Sequence, residues 1–182
     1  MFQDPVKYNS IAKGGLRLLT LGEINLASSL YGFSIHYNQV WIHLDSYLPF
    51  NLQPNNIGMS PNGEMWFREG TYENDFPETD IVKKKHLFLH EMMHVWQHQR
   101  GMWVRMRGLV SRIADYSYSF DKANLLGYSL EQQASIVSDY WLLKHYGSYN
   151  YTYLIEYRDY VVSEPENILR IKYEKILGNF PS

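Results

Sequence analysis

From Ile81 to Gln99 the chain carries apolar residues on nearly every side of a would-be helix. Ile81, Val82, Leu87, Phe88, Leu89, Met92, Met93, Val95 and Trp96 cover most of its circumference at about 100° per residue. Such a helix is buried among neighbours, yet this one bears His86, His90, His94, His98 and Glu91. A bare polar group there would cost about 1–3 kcal/mol and a bare charge more, so these side chains must be hydrogen-bonded, paired or bound to an ion. Thr79 or Asp80 is placed to cap the helix and Gly101 to end it after about Gln99. Lys83, Lys84 and Lys85 in its first turns are a solvated face.

The spacing of the histidines narrows the choice of an ion-binding pair. Neighbours four residues apart are turned by about 40° and converge on one point, whereas His86 and His98 stand about 120° apart and cannot share an ion. Only His90 and His94 enclose a carboxylate directly after the first histidine. His90-Glu91-Met92-Met93-His94 is the His-Glu-x-x-His pattern, in which two imidazoles hold zinc and the glutamate activates water. The pairs His86/His90 and His94/His98 enclose Leu87-Phe88-Leu89 and Val95-Trp96-Gln97 and have no such base, so His86 and His98 are expected to be structural. The sequence has no cysteine, which excludes thiolate ligands and disulfides and leaves nitrogen and oxygen donors.

Catalytic zinc usually takes three protein ligands. Six residues after His94, where a metzincin would place a histidine, stands Arg100, so that form is excluded. Downstream, Ser129-Leu130-Glu131-Gln132 has the form of a capping box. It opens a helix with Ile136, Val137, Tyr140, Trp141 and Leu143 spaced for burial, closing near Gly147. Glu131 lies in the first turn, where a carboxylate also suits the helix dipole.

Elsewhere, residues 1–20 read as an irregular arm. Thr20-Leu21-Gly22-Glu23 is a second capping box, opening a short helix that Gly32 ends. Ile35 to Leu44, rich in β-branched and aromatic residues, is expected to be a strand carrying His36 and His43 as hydrogen-bonded structural residues. After the loop from Asp45 to Asn56, Ile57–Ser60 and Glu64–Phe67 flank Pro61-Asn62-Gly63, whose Asn-Gly pair suits a tight hairpin. Glu64 to Phe67 is the candidate edge strand, able to pair with an extended peptide through main-chain hydrogen bonds. Arg105, Arg107 and Arg112 punctuate a further expected helix, followed by Tyr116, Tyr118 and Tyr128. Ser163-Glu164-Pro165-Glu166 opens a last one that Gly178 ends. An oxyanion-holding side chain is hard to select among 16 tyrosines; Tyr140 and His145 are the nominees.

With 45% apolar and 16% aromatic residues, 182 residues are enough to bury the core of one domain spanning 1–182. A net charge of −2 and a pI near 6.4 give no broad attraction to nucleic acid or to anionic membrane. No run of about 18 apolar residues could span a bilayer, and Met1-Phe2-Gln3-Asp4-Pro5 lacks the order of a signal peptide. The expectation is a cytoplasmic protein, compatible with export by a dedicated secretion machine.

His90 to His94, followed by Glu131-Gln132-Gln133-Ala134-Ser135, resembles the gluzincin arrangement, where a Glu-x-x-Ala-Asp segment gives the third ligand and a supporting aspartate. More narrowly, the chain resembles small bacterial zincin-like proteins related to Rhs and Vgr proteins and associated with type VI secretion. That resemblance runs from Gly22-Glu23-Ile24 through Pro61-Asn62-Gly63-Glu64 and His90–Gln97 to Gln132–Tyr140. It implies a mainly helical α+β zincin-like fold with a small antiparallel sheet. It also implies a Zn2+ ion held by His90, His94 and Glu131, with Glu91 as general base of a zinc metallopeptidase acting on a peptide or protein, and secretion-system components as partners. Ser135 stands where the pattern has aspartate. Asp139 on the same face could orient a histidine or itself be the ligand, but residues eight apart are separated by about 12 Å along the axis and cannot both bind one ion. Two other functions share these residues: a zincin scaffold serving as a non-catalytic adaptor or binding module, and an amidase acting on cell-wall peptides.

Overall fold

A computed structural model describes residues 10–102 and 115–181, and all structural statements concern these residues. Their fold is α+β, with four helices and a small mixed sheet. Strand β1 (Leu16–Leu18) lies within the segment expected to be an irregular arm. It is ordered by pairing antiparallel to β2 (Trp41–Leu44) and by Arg17, whose guanidinium forks onto the buried carboxylate of Glu23 at 2.7 and 2.8 Å. Glu23 also completes the expected capping box of α1 (Leu21–Tyr31). Thr20 Oγ1 accepts from the Glu23 amide at 3.0 Å, and Glu23 Oε2 accepts from the Thr20 amide at 2.9 Å.

Only the second half of the expected strand from Ile35 to Leu44 is extended. Residues 37–39 close a 3-10 turn instead, and the His36 amide donates to the side chain of Gln99 rather than to a ladder. β3 (Gly58–Met59) and β4 (Met65–Phe67) form the expected antiparallel hairpin. The sheet order is β1-β2-β4-β3, with β4 parallel to β2, so the sheet is mixed rather than antiparallel. The loop after β2 sets β3 one position outward, and β4 fills the gap. Glu64 to Phe67 is therefore interior to the sheet, and the edge beside α2 is Gly58–Met59. Met65 and Phe67 are fully covered in this interior place.

The inner face of the sheet, with Ile42, Leu44, Met65 and Phe67, packs toward α2 (Val82–Gln99). Rings of Phe67, Phe76 and Phe88 follow one another at 4.9 Å between centroids. Neither Thr79 nor Asp80 caps α2. Its cap position is Ile81, whose amide is held by Thr79 Oγ1 at 3.2 Å. On its far side α2 packs along α3 (Leu130–Tyr151), which carries the expected Ser129 capping box and departs from helical geometry at Gly147 (φ 70°). α4 (Glu166–Leu177) covers α3 and ends at Gly178. The expected helix with Arg105, Arg107 and Arg112 lies outside the described residues. Among the described residues, no helix is long and apolar enough to cross a membrane.

Candidate metal centre

The long contact between α2 and α3 brings the first turn of α3 against the middle of α2. Among the described residues, His90, His94 and Glu131 form the one group of three potential metal ligands whose donor atoms lie within 4.8 Å of one another. Glu131 Oε2 is 3.1 Å from His94 Nε2 and 3.3 Å from His90 Nε2. In a tetrahedral zinc site with bonds of about 2.0–2.1 Å, neighbouring donors lie roughly 3.3 Å apart, so two imidazoles and one carboxylate oxygen at this spacing fit such an ion. His94 is almost fully covered, whereas the Glu131 side chain is 22% exposed and opens onto a cavity.

That cavity, of about 270 Å3, is bordered by Glu91 and the three clustered side chains, with Ile57, Leu87 and Leu154 among its apolar walls. Glu91 is buried beneath it, and its Oε2 accepts from Ser60 Oγ at 2.8 Å. Gly58 admits this carboxylate: a Cβ there would lie 2.6 Å from Glu91 Cγ. Burial raises the Glu91 pKa. The charges of His94 and His90 and the Ser60 hydrogen bond pull it back only in part, so it stays above its ordinary value. For Glu131 burial also acts upward, but His94 and His90 outweigh it and hold the carboxyl well below the usual range. Burial lowers the His94 pKa, yet the facing Glu131 and Glu91 carboxylates and the Gln97 hydrogen bond carry it up to about 9. The cluster is thus built to hold positive charge.

Of the two carboxylates left open by the sequence, Glu131 joins the histidine cluster and Asp139 does not. Asp139 is fully buried and already spent: Oδ1 bonds His86 Nε2 at 2.8 Å, while Oδ2 accepts from Tyr118 Oη at 2.8 Å and the Glu156 amide at 2.9 Å. His86 borders the cavity but stands outside the cluster, and its partner on another helix was not apparent in the sequence. His98 is exposed at the end of α2, His36 lies in the turn before β2, and His43 is stacked 3.7 Å over Trp66 and bonded to Glu64 at 2.7 Å. The nominees Tyr140 and His145 lie elsewhere, packed on Tyr173 and Trp141. Among the described residues, the tyrosine at the cavity is Tyr116, its ring 5.9 Å from that of His90. Burial, then the charges of Glu131, Glu91 and Glu156, raise its pKa and keep it a phenol. Glu156 also borders the cavity and has no motif to betray it.

Ser135, where the gluzincin pattern has aspartate, is buried and borders the cavity, but its Oγ has no hydrogen-bond partner among the described residues. His94 Nδ1 bonds the side chain of Gln97 instead, at 2.9 Å. Gln97 is buried, and the sequence alone assigns it no role.

Fold and site together define an α+β protein in which a His-Glu-x-x-His helix and the following helix enclose a His–His–Glu cluster beside a buried carboxylate. The type VI secretion system spike protein VgrG2b of Pseudomonas aeruginosa strain PAO1 is 35% identical to it over 136 residues, which are 71% of this chain and 13% of that protein. The chain thus corresponds to a small part of the spike protein's length. The solved effector domain of Pseudomonas aeruginosa VgrG2b is 31% identical, with a TM-score of 0.63 over 78% of this chain and 84% of that one. This chain belongs to the family of the VgrG2b effector domain. No protein-family profile matches the sequence.

Proposed function

We propose that the chain is a zincin-like, zinc-dependent metallopeptidase and that it works as an effector associated with a type VI secretion system. The observation that carries the enzymatic reading is the pairing of two features in one cavity. A His–His–Glu cluster at ligand spacing stands beside Glu91, a buried carboxylate whose pKa is raised. A metal kept only for structure needs no base, so Glu91 favours catalysis over an adaptor. The family membership supports the secretion association, since the relative is a spike protein of that system.

His90, His94 and Glu131 would hold the ion. Zinc bound there supplies a Lewis acid for the scissile carbonyl and lowers the pKa of a water toward neutrality. Glu91 takes the proton of the attacking water and passes it to the nitrogen of the leaving amine. Tyr116, kept protonated, donates to the oxyanion that develops on the carbonyl oxygen. The Gly58–Met59 edge, beside Ile57 and Gly58 in the cavity wall, can pair with an extended substrate backbone.

The test is to load the purified protein with zinc and challenge it with a peptide library. Wild type should cleave, Glu91→Gln should bind zinc without cleaving, and His94→Ala should lose the metal. A wild-type protein that takes up no zinc, or a Glu91→Gln variant as active as wild type, would overturn the reading.

A further inference from the structure

The atoms behind His94 form a chain whose polarity can be assigned. Gln97 Nε2 lies 3.0 Å from Leu130 O and 3.1 Å from Gln133 Oε1, and Gln133 Nε2 lies 2.9 Å from Tyr128 O. Both glutamines are buried. Backbone carbonyls only accept hydrogen bonds, so each carbonyl fixes the amide facing it with its NH2 forward. Turning either amide over would set two oxygens against each other in a dry interior. The oxygen of Gln97 must then face His94 Nδ1, and an acceptor there requires a hydrogen on Nδ1.

We infer that Gln97, locked by Gln133 and by the carbonyls of Leu130 and Tyr128, is a positioning residue that holds His94 as the Nδ1–H tautomer with its Nε2 lone pair aimed at the cation site. It takes the place of the supporting carboxylate absent at Ser135. The inference rests on the metal-centre reading and adds which tautomer is selected and by what. A neutral His94 in that form faces the Glu131 carboxylate with a lone pair 3.1 Å away, and the two acceptors tolerate each other only with a proton or a metal cation between them. The same chain locks the other wall of the site: Leu130 and Gln133 flank Glu131 at the start of α3, so a single network fixes the ligands from both helices relative to each other.

The experiment measures zinc affinity by competition with a chromophoric chelator, alongside thermal unfolding of the metal-free protein and the visible spectrum of the cobalt-substituted one. Gln97→Leu removes the acceptor and should weaken zinc binding about 10- to 100-fold and alter the cobalt spectrum. Gln97→Glu keeps an acceptor for Nδ1–H but loses both donors, so it should unfold at lower temperature while binding zinc at least as tightly as wild type. That split separates positioning through His94 from a structural tie between α2 and α3. Should Gln97→Leu fold poorly, Gln133→Leu, which unlocks the amide while leaving it in place, is expected to weaken zinc binding several-fold. Unchanged affinity in Gln97→Leu, or equal losses in Gln97→Leu and Gln97→Glu, would overturn the inference while leaving the metal centre standing. Undiminished zinc binding in His94→Ala and Glu131→Gln would instead bring down the metal centre itself.

Discussion

Ser60 Oγ donates a 2.8 Å hydrogen bond to Glu91 Oε2, tying the end of the sheet's edge strand to the carboxylate proposed as base. That bond is one of the influences holding the Glu91 pKa down against burial. Ser60→Ala removes it, so the pKa should rise further and the acidic limb of the kcat/KM profile should move to higher pH. Zinc content should be unchanged, and stability should fall by about 1 kcal/mol. A pH–rate profile of wild type and variant checks the shift; an unmoved acidic limb contradicts the assignment of Glu91 as base.

Asp139 answers to three partners, His86, Tyr118 and the Glu156 amide, from three parts of the chain. Asp139→Leu leaves those donors unpaired in the interior and should lower stability by about 3–5 kcal/mol. Because Asp139 stands outside the His–His–Glu cluster, zinc affinity of the variant that remains folded should stay within a few-fold of wild type. Urea denaturation gives the first quantity and chelator competition the second. Loss of metal binding in folded protein would assign Asp139 a role that its geometry does not support.

What could be read in advance divides by the range of the signal. The capping boxes at Thr20 and Ser129 and the stops at Gly32 and Gly178 are written within four residues of where they act, and the structure has them; the hairpin around Asn62-Gly63 also forms, but through the five residues 60–64 with only Gly63 at positive φ rather than as a tight turn. The resemblance to the gluzincin segment nominates Glu131, and the capping box that fixes where α3 begins sets it in the first turn, from which it joins His90 and His94. The interior place of β4 depends on which strands meet across the loop from Asp45 to Asn56, and no local pattern encodes that. The pairing of His86 with Asp139, the choice of Tyr116 among so many tyrosines and the arrival of Glu156 at the cavity likewise depend on tertiary contacts between distant segments.

Metal-free protein should show a stability profile set by the cluster. The His94 pKa is raised from 6.5 to about 9, so its contribution is complete below about pH 6.5 and is lost as pH rises through about 9. Glu91, also raised, acts in the same direction above about pH 4.5. Glu131 is lowered, so its contribution is present above about pH 4.5 and is lost on further acidification. Stability from these groups should therefore peak between about pH 4.5 and 6.5 and decline toward pH 9. The His94 part of that decline should be no steeper than ~1.4 kcal/mol per pH unit. Zinc bound at the proposed site would replace the proton on His94, so zinc-loaded protein should lack that part of the decline, and zinc uptake near pH 7.5 should release a proton. Denaturation across pH with and without zinc, and calorimetry in buffers of different ionisation enthalpy, measure both. Uptake without proton release would mean that His94 is neutral before the ion arrives.

Among the described residues, Tyr116 is the tyrosine that borders the cavity of the cluster. It borders the cavity beside His90, and burial together with the charges of Glu131, Glu91 and Glu156 keeps its proton in place. A phenol held protonated gives nothing to a ground-state carbonyl that water could not, but it gains strength as negative charge develops on the oxygen in a site from which water is excluded. Tyr116→Phe should therefore lower kcat about 100- to 1000-fold, with little change in KM and none in zinc affinity. Packing is conserved in that substitution, so unfolding should be nearly unaltered. If KM rises while kcat is preserved, Tyr116 binds the substrate rather than its transition state, and the oxyanion must be held by another group at the cavity.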